Sequence, residues 1–196
     1  MFTGTVQALG RIRFAKSGDF AVETPGEFTE PLSIGDSIAV NGVCLTVRAL
    51  EPWGFVADVS GETARRSTLG SLRPGQSVNL EVPMRPEAGL HWHWVLGHVD
   101  ATGKVQALYK DGFNWILIVA YPTQFRRYVV EKGSIAVEGI SLTPYDLDGA
   151  SFKCAIIPET YQNTVLKDRR RGDLVNLEFD VLAKYVERMM RFAHTD

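Results

Sequence analysis

Short runs in which apolar and polar residues alternate dominate this chain, and glycine or proline breaks them at close intervals. Residues 37–47 alternate and are rich in β-branched side chains around Asn41-Gly42, a dipeptide that favours a two-residue hairpin turn. Residues 54–58, 77–82, 115–121, 134–137 and 175–179 read as further strands. Short helical turns are expected at 122–130 and after Glu62 and Glu159. The tail has a different period: Leu182, Tyr185, Val186, Met189 and Phe192 recur at helical spacing, with Lys184, Glu187, Arg188 and Arg191 between them. An amphipathic helix over 181–196 must cover its apolar stripe, either on its own barrel or, the sharper expectation, against helices of other subunits.

The strand pattern is written twice. Asn41-Gly42-Val43-Cys44-Leu45-Thr46 stands 97 positions before Glu138-Gly139-Ile140-Ser141-Leu142-Thr143. The same shift superposes Ser37-Ile38-Ala39-Val40 on Ser134-Ile135-Ala136-Val137, Glu62-Thr63 on Glu159-Thr160, and Val78-Asn79-Leu80-Glu81 on Val175-Asn176-Leu177-Glu178. Nearer the start, Gly4, Val6 and Gly10 match Gly97, Val99 and Gly103 at a shift of 93. The second copy thus carries four extra residues, placed at the turn Tyr109-Lys110-Asp111-Gly112, since hairpin tips tolerate insertion. The copies span 1–83 and about 94–180, with a linker-like junction at 83–89. This gives an N-terminal domain 1–88, a second domain 89–180 and a C-terminal helix 181–196. A repeat this long is a whole small domain, and about six short strands in each predict a small closed β-barrel in an all-β protein. Two similar pockets suit two molecules of like shape.

Composition narrows the classes. At 196 residues and 45% hydrophobic content, two modest cores are reasonable. The net charge of −2, with no basic face, gives no support to a nucleic-acid partner. Cys44 and Cys154 are not equivalent in the repeat, which argues against a disulfide and for a reducing, cytoplasmic setting. The opening residues lack signal-peptide character and no apolar run suits a membrane span. No phosphate-binding loop or dinucleotide fingerprint is present, so no nucleotide cofactor is indicated.

The candidate chemistry lies in the repeated strand. In extended backbone Cys44 and Thr46 share one face and Val43, Leu45 and Val47 the other; Ser141 and Thr143 likewise lie opposite Ile140 and Leu142. Small hydroxyls and a thiol can donate and accept hydrogen bonds without filling a pocket. A buried cysteine and turn-capping hydroxyls are the plain alternative, weakened by recurrence in both copies. The copies differ at Cys44 against Ser141, Asn41 against Glu138 and Thr5 against His98. His98 is the natural acid–base candidate, with a structural strand histidine as its alternative. His91 and His93, with His98 beyond, invite a metal reading, but the absence of nearby cysteine favours a junction strand whose tryptophans pack between domains, and no metal is expected. The basic run 167–172 aligns with a turn of the first copy and reads as a solvated loop, with a phosphate site as the minor alternative.

Taken in order, Met1-Phe2-Thr3-Gly4, Asn41-Gly42-Val43-Cys44-Leu45-Thr46-Val47, Gly97-His98-Val99-Asp100, Gly139-Ile140-Ser141-Leu142-Thr143 and Ile157-Pro158-Glu159-Thr160 resemble the riboflavin synthase family over essentially the whole chain. The resemblance implies two tandem, similar six-stranded Greek-key β-barrels and a C-terminal helix that trimerises the protein. It implies conversion of two molecules of 6,7-dimethyl-8-ribityllumazine, without cofactor or metal, at a site between the first barrel of one subunit and the second of a neighbour. Carried over by position, the substrate-binding residues of the first copy would be Gly4, Thr5, Val6, Cys44, Leu45, Thr46, Asp58, Val59, Ser60, Gly61, Glu62 and Thr63. In the second they would be Gly97, His98, Val99, Lys132, Ser141, Leu142, Thr143, Ile157, Pro158, Glu159, Thr160, Tyr161 and Gln162. His98, Ser141, Cys44 and Thr143 are the groups expected to serve acid, base or addition steps. Leu96, Glu138 and Pro144 depart from the family pattern. The rival classes are a non-catalytic lumazine or flavin chromophore carrier, and a two-barrel scaffold with no ligand.

Overall fold

Asn41 and Gly42 both take positive φ, 47° and 76°, as a two-residue hairpin turn requires, and Glu138 and Gly139 repeat it at 52° and 78°. Around these turns the structure, a computed structural model, describes residues 1–16, 18–85 and 93–193. The expected domain boundary at 88/89, His91 and Trp92 lie outside the described residues.

The first copy forms β1 (Ala8–Lys16), β2 (Asp19–Glu23), β3 (Ser37–Val40), β4 (Val43–Glu51), β5 (Gly54–Asp58) and β6 (Ser77–Glu81), with a short helix α1 (Gly61–Arg66) after β5. They close in the order β1-β2-β5-β4-β3-β6. The second copy forms β7 (Ala101–Asp111), β8 (Asn114–Ala120), β9 (Ile135–Val137), β10 (Ile140–Leu142), β11 (Pro144–Tyr145), β12 (Ser151–Ile156) and β13 (Leu174–Phe179), with α2 (Pro158–Asn163) after β12. Its order, β10-β9-β13-β7-β8-β12-β11, is the same circuit. β10 and β11 together stand where β4 stands, parted only at Thr143. Pro144 has no N–H to give the ladder, yet it still opposes Cys154 as Val47 opposes Ala57. The four inserted residues do not form a longer tip: β7 and β8 have 11 and 7 residues where β1 and β2 have 9 and 5, so the hairpin is extended along its ladder.

Apolar side chains fill both interiors, as small barrels demand. Ile12, Val22, Ile38, Leu45, Phe55 and Leu80 lie in the first; Val105, Val119, Ile135, Leu142, Phe152 and Leu177, their counterparts or near neighbours, lie in the second. Between the barrels, Phe2 pairs with Val95, and both are buried with Ala39 and Ala136. The frame here is nearly two-fold. Asn79 Nδ2 donates to the Glu138 carbonyl and Asn176 Nδ2 to the Asn41 carbonyl, each at 2.9 Å. Asn79 Oδ1 accepts the Val165 N–H at 2.8 Å and Asn176 Oδ1 the Thr68 N–H at 2.7 Å. Gly42 and Gly139 meet so closely that a Cβ on either would lie under 3 Å from the other's backbone.

Helix α3 (Val181–Ala193) leaves β13 with Asp180 Oδ1 accepting the Leu182 N–H at 2.9 Å. Its polar flank touches its own barrel: Glu187 bonds Arg127 and Tyr128, and Lys184 Nζ reaches Asp100 at 2.6 Å. The apolar stripe faces outward, with Leu182 54%, Tyr185 68% and Met189 71% exposed. No helix among the described residues is long and apolar enough to cross a membrane.

Candidate functional site: two grooves on the outer barrel faces

The alternation predicted for the repeated strand holds. Val43, Leu45 and Val47 are buried, while Cys44 is half-buried and Thr46 exposed. Ile140 and Leu142 are buried, with Ser141 half-buried and Thr143 exposed. The polar pairs therefore point away from the barrel interiors, and the candidate sites lie on the outer faces.

The copies exchange their opening segments across the two-fold. The Gly97 carbonyl accepts the Cys44 N–H, and the Gly4 carbonyl accepts the Ser141 N–H, both at 2.9 Å. A Cβ at Gly97 would stand 2.6 Å from Cys44 Cβ, and one at Gly4 would stand 2.6 Å from Ser141 Cβ. With φ near +77° as well, both positions demand glycine. Beyond them Val99 packs on the first core and Val6 on the second. Residues assigned by sequence copy thus serve the opposite barrel.

On the first barrel, Cys44, Glu62, Thr63, Arg66, Gly97, His98 and Val99 line a cleft of about 150 Å³. Asp58 pairs with Thr46 across β4 and β5 and lies 3.4 Å from Arg48. Val59 packs on the core, and Ser60 caps α1 by accepting the Thr63 N–H at 3.1 Å, so Gly61 opens a turn that presents Glu62 and Thr63. Hydrogen bonds from Arg66 and Arg65 hold the Glu62 carboxyl below its ordinary value.

On the second barrel, Ser141 faces Gly4, with Thr5 exposed beside it. Ser141 Oγ lies 2.7 Å from His93 Nδ1. His93 is 6% exposed, and burial pushes its imidazole below the ordinary 6.5. Ile157 is exposed at the start of α2, Pro158 opens that helix, and Glu159 and Thr160 follow in its first turn. Tyr161 stacks on Trp115 with centroids 3.7 Å apart, and the Gln162 carbonyl accepts Lys167 Nζ at 2.9 Å. Lys132 stands apart from Ser141: its N–H donates to the Pro144 carbonyl and its ammonium lies 5.3 Å from the Tyr145 ring centroid.

Three sequence expectations change here. Trp94 does not pack between domains; it is 45% exposed, because Val95 and His93 turn inward and leave Trp94 on the other face. His93, read from sequence as part of a junction strand with the metal reading set aside, touches the candidate serine. Arg169 is not a solvated loop residue, since its guanidinium pairs with the fully buried Glu138 carboxylate. Cys154 belongs to neither groove; burial pushes its thiol up to about 12.

Twin barrels with a small polar pair on each outer face define a class, and a family model described as a lumazine binding domain matches the chain twice, over residues 3–83 and 96–180. The chain belongs to the riboflavin synthase family of transferase-type enzymes. It is 46% identical over 201 residues to the riboflavin synthase of Mycobacterium tuberculosis, covering 98% of this chain and all of that protein. It is 41% identical to that of Actinobacillus pleuropneumoniae, over 97% of this chain and 90% of that protein, and 34% identical to that of Bacillus subtilis, over 99% and 90%. Among solved structures, LumP with 6,7-dimethyl-8-(1'-D-ribityl) lumazine superposes with a TM-score of 0.83 at 21% identity, over 91% of this chain and 98% of that one. LumP with riboflavin superposes with a TM-score of 0.84 at 23% identity, over 91% and 99%, and both likenesses concern the fold.

Proposed function

We propose that this protein takes two molecules of 6,7-dimethyl-8-ribityllumazine and transfers a four-carbon unit from one to the other, giving riboflavin and 5-amino-6-(D-ribitylamino)uracil. One observation carries the reading: the Cys44 and Ser141 sites share a frame yet differ in reactive groups. Two identical substrates in unlike roles need that arrangement.

The reaction calls for a proton to leave an activated methyl group of one molecule and a nucleophile to add to the ring of the other. The Ser141 groove suits the first task. A neutral His93, held neutral by burial, draws the Ser141 hydroxyl proton as Oγ takes one from the methyl carbon, leaving a ring-delocalised carbanion and an imidazolium. The Cys44 groove offers a thiol and His98 for addition and for return of protons. Thr46 and Thr143 supply hydrogen bonds from the exposed strand face. Holding both molecules in register recovers up to roughly 7–11 kcal/mol of the bimolecular barrier.

The Cys44 cleft, at about 150 Å³, falls short of the roughly 300–1,000 Å³ of ordinary small-molecule pockets. A neighbouring subunit that supplies further walls, Lys132 among them, resolves the shortfall. The exposed stripe of α3 and the groove of about 1030 Å³ beside it offer the assembly surface for a homotrimer. Each barrel is taken as one domain, 1–88 and 89–180, with 181–196 as the oligomerisation helix, in a cytoplasmic protein. The test is to mix the protein with the dimethyl-ribityllumazine and follow the visible spectrum. Growing riboflavin absorbance supports the enzyme. Tight binding without conversion supports a chromophore carrier. No binding ends both.

A further inference from the structure

The opening segments that pack on Cys44 and Ser141 are held by a matched pair of buried carboxylates. On β6, Glu81 Oε1 accepts the Thr3 N–H at 2.6 Å and the Thr3 hydroxyl at 2.9 Å, and Oε2 accepts the Gly4 N–H at 3.1 Å. On β13, Glu178 Oε1 accepts the Leu96 N–H at 2.7 Å, and Oε2 accepts the Gly97 and His98 N–H groups at 2.9 and 3.1 Å. The two side chains are only 4% and 3% exposed. Burying a carboxylate is costly, and burial pushes both carboxyls up despite the bonds they accept. An apolar residue would fill the space more cheaply but would leave several backbone donors unpaired. A carboxylate presents two oxygens to consecutive N–H groups and so fixes the path of the segment, not only its depth.

The direction of each grip is the informative part. Glu178 sits on the second barrel but holds Gly97 and His98, which wall the Cys44 groove of the first. Glu81 sits on the first barrel but holds Thr3 and Gly4, and Gly4 packs directly on Ser141 of the second.

We propose that Glu178 and Glu81 are positioning residues that act crosswise, each carboxylate setting the segment that packs on the candidate site of the opposite barrel. This rests on the reading that the grooves hold the two substrate molecules, but its test needs no substrate. The chain has only two cysteines. Cys154 is buried with a thiol near 12 and stays silent to alkylation in the folded protein, so iodoacetamide reports Cys44, with Cys154 as an internal check on folding. In the full chain, Glu178→Gln is expected to speed Cys44 alkylation about tenfold with Cys154 still protected, since charge-assisted bonds to the wall are lost. Glu81→Gln is expected to leave Cys44 unchanged and instead to raise the His93 titration, followed by NMR, toward the ordinary 6.5 as water reaches Ser141. An unchanged Cys44 rate in Glu178→Gln, or equal acceleration in both variants, overturns the proposal. If Glu178→Gln exposes Cys154 as well, Leu96→Pro removes one donor and leaves the carboxylate in place. That variant must then speed Cys44 alone; failure to do so overturns the proposal too. Absence of riboflavin formation by the native protein would sink the reaction assignment while leaving the crosswise result standing.

Discussion

The Cys44 cleft and the Ser141 site are built on one frame and furnished differently. In both, a glycine carbonyl from the other copy accepts the N–H of the central residue at 2.9 Å, and a buried glutamate anchors the segment that carries it. The reactive groups then part. Cys44 lies with His98, and with Arg66 bound to Glu62. Ser141 lies against buried His93, and Asn163, which stands in the place of Arg66, donates to Glu159. The lesson is a division of labour: the symmetric part sets position and the asymmetric part sets chemistry.

That division is open to attack from both sides. The largest effect is expected at the asymmetric serine. Ser141→Ala and His93→Asn should each cut turnover by about 10²–10⁴ in steady-state assays with the far-ultraviolet circular dichroism unchanged. Next come the symmetric asparagines. Asn79→Ala and Asn176→Ala each leave a buried N–H and a carbonyl unpaired across the interface. They should lose similar stability, about 3 kcal/mol in denaturant unfolding. Markedly unequal losses would mean the frame is less symmetric than its geometry. His98→Ala, at the exposed wall of the Cys44 groove, should lower turnover by about tenfold and spare stability.

The smallest effect is in pH. The unfolded His93 imidazole takes a proton near 6.5, while the buried one does so only at lower pH. Its contribution to stability is therefore complete above 6.5 and is lost as pH falls toward the folded value. The acid limb of the rate profile should lie below 6.5 and move when His93 is replaced.

Much of the frame was legible in the sequence because its signals are local. Asn41-Gly42 dictates its hairpin, alternation around Leu45 and Leu142 fixes which side chains face the core, and the repeat predicts two like barrels. The exchange of opening segments was not, because the shift of 93 makes Phe2 and Val95 equivalent positions of the two copies without showing that they pair with each other. His93 escaped for a similar reason: a lone histidine beside tryptophans carries no role until Ser141 is brought to it. The one usable signal was its two-residue spacing from Val95, which puts both on the inward face. Arg169 was misread because a basic run predicts solvent, whereas Glu138 buried at the hairpin turn needed a counter-charge.

Solvent deuterium exchange into the methyl groups of 6,7-dimethyl-8-ribityllumazine, followed by NMR, tests the division of roles most directly. The account predicts that Cys44→Ala still exchanges the acidic methyl protons while forming little riboflavin, and that Ser141→Ala stops both. Exchange preserved in Ser141→Ala and lost in Cys44→Ala would contradict it.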